Sequence, residues 1–215
     1  MSFKPPGFYP VLDTALLARC GMRSAAAAEA ILEAGAQILQ FRHKDFFSRK
    51  TFEEAECIAG MCRAARVTFV MNDRADLAAL LGSALHLGQD DLAPADARKV
   101  VPSGTAIGFS THNRDQLLAG DSEPVDYLAI GPIFATGSKL NPDPVVGVSE
   151  LRTLRAVSQK PLVAIGGVTR ETARSVFEAG ADSIAVIGDV YPNPLSARAL
   201  KQRVEEWLAI ASSYK

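Results

Sequence analysis

The chain has 215 residues, 48% of them hydrophobic, and a formal net charge of −1. That length suits one compact domain with a sizeable core, and the near-neutral balance argues against nucleic acid or an acidic membrane as a partner. Cys20, Cys57 and Cys62 are too few and too irregularly spaced for a disulfide framework or a zinc site, and no apolar run approaches the roughly 18 residues of a membrane span or a signal core, so the sequence reads as a soluble cytoplasmic protein.

Short apolar runs alternate with longer stretches of helical period. The first run is FYPVLD (8–13). A helix-like stretch at Ser24–Ala34 leads to AQILQFR (36–42), and another at Ser48–Ala65 leads to TFVMND (68–73). SALHLG (83–88), TAIGFST (105–111) and DYLAIGP (126–132) follow. PLVAIGG (161–167), a helix-like Thr169–Ala179 and SIAVIGD (183–189) complete the series. Strands separated by helices of this length form parallel βαβ units. Eight of them predict a single (β/α)8 TIM barrel over 1–215, with an open doubly wound sheet as the alternative. LEAGAQILQFR (32–42) and FEAGADSIAVIG (177–188) repeat the same helix–Gly–Ala–strand order. One connection breaks the rhythm: IFATGSKLNPDPVVGV (133–148) has two prolines, two glycines and no helical period. A loop that long in a compact barrel is usually functional, and it reads as a lid.

In a barrel of this kind the chemistry lies at the carboxyl ends of the strands. The second strand ends Gln40-Phe41-Arg42-His43-Lys44. Period two places Gln40, Arg42 and Lys44 on one face and Phe41 and His43 on the other. The third strand ends Asn72-Asp73, the fourth runs into HLGQDDLAP (86–94), and the fifth ends Ser110-Thr111. Thr136, Ser138 and Lys139 lie in the long loop, and Gly166-Gly167 and Ile187-Gly188 follow the last two strands. Glycine lets backbone N–H groups approach an anion, so the last pair predicts a phosphate site. Arg42, Lys44 and Lys139 form a second candidate anion site, suited to pyrophosphate. Asp73 and Asp91 come from neighbouring strand ends and predict a shared Mg²⁺, which typically takes one or two carboxylates and completes its shell with phosphate oxygens and water. Each group has a plainer reading. Asp73, Asp90 and Asp91 suit the first turn of a helix, the cations suit a solvated strand end, and the glycines suit a tight turn. Their shared position at one end of successive strands favours a site. His86 and His112 read as structural.

These segments resemble the thiamine phosphate synthase family. QFRHK is similar to its Q-x-R-x-K motif, VMNDRADLA to its N-D-R-x-D-L-A segment and HLGQDDL to its H-x-G-Q-x-D-L segment. GFSTHN, DYLAIGPIFATGSK, PLVAIGGV and SIAVIG continue the match in order, from about residue 9 to about residue 190. The resemblance implies a (β/α)8 barrel that joins a hydroxymethylpyrimidine diphosphate to a thiazole phosphate, releasing pyrophosphate. By motif, Gln40, Phe41, Arg42, His43, Lys44, Asn72, Ser110 and Lys139 would hold the pyrimidine diphosphate, with Arg42, Lys44 and Lys139 stabilising the leaving group. Asp73 and Asp91 would bind Mg²⁺. Thr136, Gly137, Ser138, Gly167, Ile187 and Gly188 would hold the thiazole phosphate. The implied partners are these small molecules, not nucleic acid or membrane, and a homo-oligomer stays open.

Two features depart from the family pattern. The first strand ends Leu12-Asp13 where Thr-Asp is common, and the last strand is followed by Gly188-Asp189 where a serine is usual. An inward-pointing Asp189 would repel a phosphate. The closest rival is a thiazole tautomerase-like barrel. Such barrels often lose the metal acids and carry a catalytic histidine where this chain has Pro132. A non-catalytic thiazole phosphate-binding barrel is the rival from another class, and it would have no use for Arg42, Lys44, Asp73, Asp91 and Lys139.

Overall fold

A computed structural model describes residues 3–137 and 143–214. In chain order the elements are β1 (Phe8–Asp13), α1 (Thr14–Arg19), α2 (Ser24–Glu33), β2 (Ile38–Arg42), α3 (Arg49–Ala65) and β3 (Thr68–Asn72). Next come α4 (Ala75–Leu81), β4 (Ala84–Leu87), α5 (Pro94–Val100), β5 (Ile107–Thr111), α6 (Arg114–Ser122) and β6 (Tyr127–Ile130). The chain closes with α7 (Gly147–Arg155), β7 (Leu162–Ile165), α8 (Ala173–Glu178), β8 (Ser183–Val186), a 3₁₀ turn (Gly188–Val190) and α9 (Ala197–Ser212). The strands form a closed barrel in sequence order. β1 pairs in parallel with both β2 and β8, so the open sheet is excluded.

Parallel strands buried on both faces read as unbroken apolar runs, which is why the strands were visible in the sequence. Alternation divides each strand between two cores. Tyr9, Val11, Ile38, Val70, Tyr127, Ala129, Val163 and Ala185 fill the barrel interior. Phe8, Leu12, Leu39, Phe41, Phe69 and Met71 face outward beneath the helices. Gly108 in β5 makes room for this packing, since a Cβ there would stand 2.0 Å from the Tyr127 ring.

The sequence reading did not single out α1 or α9. Asp13 caps α1 by accepting from the Leu16 N–H at 2.9 Å. α9 buries Leu200, Val204, Trp207 and Ala211, one stripe at helical spacing. Trp207 stacks on Phe8 with ring centroids 5.4 Å apart. Truncating so large a buried ring would cost about 3–5 kcal/mol. The helix expected from Thr169 begins instead at Ala173. The intervening residues form a turn in which Thr172 Oγ1 accepts from the Thr169 N–H at 2.9 Å.

The long connection is anchored at both flanks. The Ile133 and Phe134 N–H groups donate to the Ile165 and Gly166 carbonyls, both at 2.9 Å, and Val146 N–H returns to the Pro132 carbonyl at 2.8 Å. α7 starts at Gly147, within the last two residues of the loop read over 133–148. Ser138 and Lys139 lie outside the described residues. Among the described residues no helix is long and apolar enough to cross a membrane.

Candidate active site

Two adjoining cavities open at the carboxyl ends of the strands. The first encloses about 420 Å³ and is lined by Gln40, Arg42, Lys44, Asn72, Asp73, Asp91 and Ser110, among others. The second encloses about 350 Å³ and is lined by Thr136, Gly137, Gly167, Ile187 and Gly188, among others. Ser110, His112, Ile165, Ala185 and Ile187 belong to both, so the cavities share a wall.

Phe41 and His43 do not reach either cavity. Phe41 is fully buried in the outer core against Phe47 and Phe69. His43 Nε2 donates to the Phe46 carbonyl at 3.2 Å, which leaves Nδ1 to accept from Thr14 Oγ1 at 2.7 Å. Strand alternation sends both side chains outward. Any contact they make with a ligand in the first cavity therefore runs through the backbone.

Arg42 and Lys44 of the first cavity each have a carboxylate partner. Arg42 pairs with Asp13 across β1 and β2, and Lys44 Nζ donates to Asp73 Oδ2 at 2.5 Å. Asp91 Oδ2 accepts from the Gly88 N–H at 2.6 Å, which folds the Gly88–Asp91 turn back over the end of β4. Asp91 lines the same cavity as Asp73. Burial pushes the Asp73 carboxyl up to about 6; the neighbouring Asp91 adds to the rise and Lys44 opposes it. Asp73 also holds a left-handed backbone with φ +65°, a conformation a non-glycine residue retains only when its surroundings enforce it. Two carboxylates brought this close form a site that a cation would relieve.

A hydrogen-bond chain crosses the cavity floor. Gln40 Nε2 donates to the Tyr9 hydroxyl at 2.9 Å, and the Tyr9 and Tyr127 hydroxyls meet at 3.0 Å. Tyr127 Oη lies 3.0 Å from His86 Nδ1, and His86 Nε2 lies 2.9 Å from Ser110 Oγ. Burial pushes both phenols well above their ordinary range, so they remain neutral members of the chain. The chain fixes Gln40 and Ser110, which both face the cavity. Asn72 contrasts with them. Its Nδ2 is buried and has no hydrogen-bond partner among the described residues. An unmet buried donor costs about 1–3 kcal/mol, so a ligand acceptor is expected opposite it.

The second cavity is built mainly from backbone. Gly167 has φ +66°, and a Cβ there would lie 2.5 Å from the Ala135 carbonyl oxygen and 2.7 Å from that of Phe134. Only glycine lets the β7 loop pass under the long connection. Asp189, suspected from the sequence of repelling an anion, lines this cavity, yet its charge is neutralised. Its Oδ2 accepts from Trp207 Nε1 at 3.0 Å and from Arg170 Nε at 3.1 Å.

For a metal, the described residues hold no cluster of three or more His, Cys, Asp or Glu side chains. The pair Asp73–Asp91 fits a hard cation that keeps several waters and takes phosphate oxygens, as Mg²⁺ does. It does not fit a metal that needs a full protein cage.

Residues 8–190 match the family model described as thiamine monophosphate synthase. The chain belongs to this family. It is 49% identical over 187 residues to the thiamine-phosphate synthase of Koribacter versatilis, covering 86% of this chain and 85% of that one. It is 41% identical over 180 residues to that of Chlorobium phaeovibrioides, covering 82% and 86%. The solved thiamine phosphate pyrophosphorylase from Pyrococcus furiosus superposes with a TM-score of 0.84 at 26% identity, covering 97% of this chain and 96% of that one. Thiamine-phosphate synthases are transferases, and the protein is an enzyme of that class.

Proposed function

We propose that this thiamine monophosphate synthase family enzyme carries out a Mg²⁺-dependent condensation of 4-amino-2-methyl-5-(diphosphomethyl)pyrimidine with thiazole phosphate. The products are thiamine phosphate and pyrophosphate. The observation that carries the reading is the pair of cavities with a common wall, one rich in charged side chains and the other lined by glycine backbone. Two anionic substrates held on either side of one wall bring their reacting atoms together.

Gln40, Asn72 and Ser110 offer hydrogen bonds to the pyrimidine in the first cavity, and Arg42 and Lys44 meet the diphosphate. Lys139 joins them by its place in the family motif. Gly167, Ile187 and Gly188, with Thr136, Gly137 and Ser138 of the long connection, take the thiazole phosphate. Asp73 and Asp91 would hold Mg²⁺, which when bound neutralises charge developing on the diphosphate. The C–O bond to the diphosphate breaks first, and pyrophosphate leaves with the electron pair. The thiazole nitrogen then captures the pyrimidinylmethyl cation. That nitrogen carries no proton, so no general base is required. This agrees with His86 being committed to Tyr127 and Ser110, and with His112 Nδ1 donating to the Gly131 carbonyl at 2.6 Å. Fixed cations beside the leaving group supply stabilisation without reorganisation.

The test is one reaction with purified protein, Mg²⁺ and both substrates. We expect equal amounts of thiamine phosphate and pyrophosphate, both lost on chelation. Thiazole tautomerisation without condensation would replace this reading with the tautomerase one.

A further inference from the structure

Asp189 lines the second cavity beside Gly188, and its surroundings give it a role. The β7 loop supplies Thr169 and the glycines beside it to the second cavity; the turn after β8 supplies Gly188 and Asp189. Arg170 follows Thr169 directly and donates to Asp189 Oδ2 at 3.1 Å, so one ion pair joins the two loops that wall this cavity. α9 holds the same point from behind. Trp207 Nε1 donates to Asp189 Oδ2 at 3.0 Å, and Arg203 Nη1 donates to the Asp189 carbonyl at 2.8 Å. Glu206 completes the set, accepting from Arg170 Nη1 at 2.5 Å and lying 3.4 Å from Arg203 Nε. Two arginines and two carboxylates leave the cluster electrically balanced. The Asp189 side chain is only 16% exposed, so its pairing is screened less than an ordinary surface bridge.

We propose that Asp189 is a positioning residue for the phosphate half of the site: its carboxylate clamps the β7 and β8 loops to each other and to α9, fixing the spacing of the backbone N–H groups that receive the thiazole phosphate. The inference rests on the assignment of the second cavity to that phosphate. It accounts for an acid beside an anion site, because the charge faces the arginines. It also gives α9, which lies outside the matched family segment, a part in substrate binding. Gly188 carries no hydroxyl of its own; the clamp instead holds the turn that supplies its N–H.

The experiment compares wild type, Asp189→Ala and Asp189→Asn by steady-state kinetics with each substrate varied, and by calorimetric titration with thiazole phosphate. In Asp189→Ala we expect the KM and Kd for thiazole phosphate to rise about tenfold, as for loss of one charge-assisted contact. We expect kcat and the KM for the pyrimidine diphosphate to stay within about twofold. Asp189→Asn keeps an acceptor oxygen for Trp207 and Arg170 and is expected to recover most of the binding. If the alanine variant does not fold, Arg170→Ala removes the same pair between the two loops and should raise the thiazole phosphate Kd by about tenfold. A merely structural role would lower thermal stability and active fraction and leave both constants unchanged, which would overturn the proposal. Tighter thiazole phosphate binding in either variant would also overturn it, since that result means an inward, repelling carboxylate. A wild type that binds thiazole phosphate but does not condense it would remove the reaction assigned above and leave this comparison readable by titration. A wild type that does not bind it would remove both.

Discussion

The two cavities are built by different means. The first uses long charged side chains, each fixed by a partner: Arg42 by Asp13, Lys44 by Asp73, Asp91 by the Gly88 N–H. The second uses main chain, shaped by glycines at 166, 167 and 188 and braced from outside by Arg170, Asp189 and Trp207. A side-chain site holds its cations against neighbouring carboxylates and keeps one acid, Asp91, on a backbone N–H. A backbone site has no charge to neutralise, but it depends on the shape of its loops. The first should therefore fail through loss of single functional groups, and the second through displacement of backbone.

The largest effect should follow Asp91→Ala. Loss of a metal ligand removes several kcal/mol of leaving-group stabilisation, so turnover should fall by about 10³-fold or more. The fold should survive, because the lost Gly88 contact to a carboxylate costs about 1.5–3 kcal/mol. Metal-titrated kinetics and circular dichroism check both halves; near-normal turnover at low Mg²⁺ would remove Asp91 from the metal site.

Gly167→Ala sharpens the contrast. The φ of +66° and the nearby carbonyl oxygens force the loop to move, and we expect the thiazole phosphate KM to rise about tenfold or more. The pyrimidine diphosphate KM should hardly change. Equal rises in both constants would erase the distinction between the cavities.

Asn72→Ala should do the reverse, raising the pyrimidine diphosphate KM by about tenfold. The ligand-free melting temperature should not fall, because removing a buried donor without a partner relieves its cost. A marked loss of stability would mean that this amide serves the fold.

The smallest effect is on stability. The Asp73 carboxyl is raised from 3.8 to about 6, so the folded protein keeps a proton that the unfolded chain has released across that window. Its contribution is fully present below the unfolded value and is lost as pH rises to the folded one. Metal-free protein should therefore lose stability between about pH 4 and pH 6. Asp73→Asn should flatten that decline and raise the melting temperature at pH 7 while abolishing metal-dependent turnover. Differential scanning calorimetry across the window, without metal, reads it; an unchanged slope would take Asp73 out of the coupling.

The same contrast governs how much was legible in the sequence. Doubly buried strands write themselves as apolar runs, so all eight appeared within a few residues of their observed limits. Period two then placed Gln40, Arg42 and Lys44 on the inner face and Phe41 and His43 on the outer one. Alternation gives direction but not partnership. Nothing local showed that Asp13 neutralises Arg42, 29 residues away, or that Tyr9 and Tyr127, 118 residues apart, join the floor of the first cavity. The partners of Asp189 were hidden for the same reason. Its sign was readable, but the arginines and the indole that receive it come from other elements. The apolar stripe of α9 was there to be read; its role behind the second cavity was not, because that depends on tertiary packing.

The most direct test of the central claim is calorimetric titration of the wild-type enzyme with each substrate separately, with Mg²⁺ and with chelator. If charged side chains and metal serve only the first cavity, chelation should weaken pyrimidine diphosphate binding by about 100-fold or more and leave thiazole phosphate within about twofold. Equal loss of both on chelation would contradict the account, because the two halves would then share one metal-dependent site.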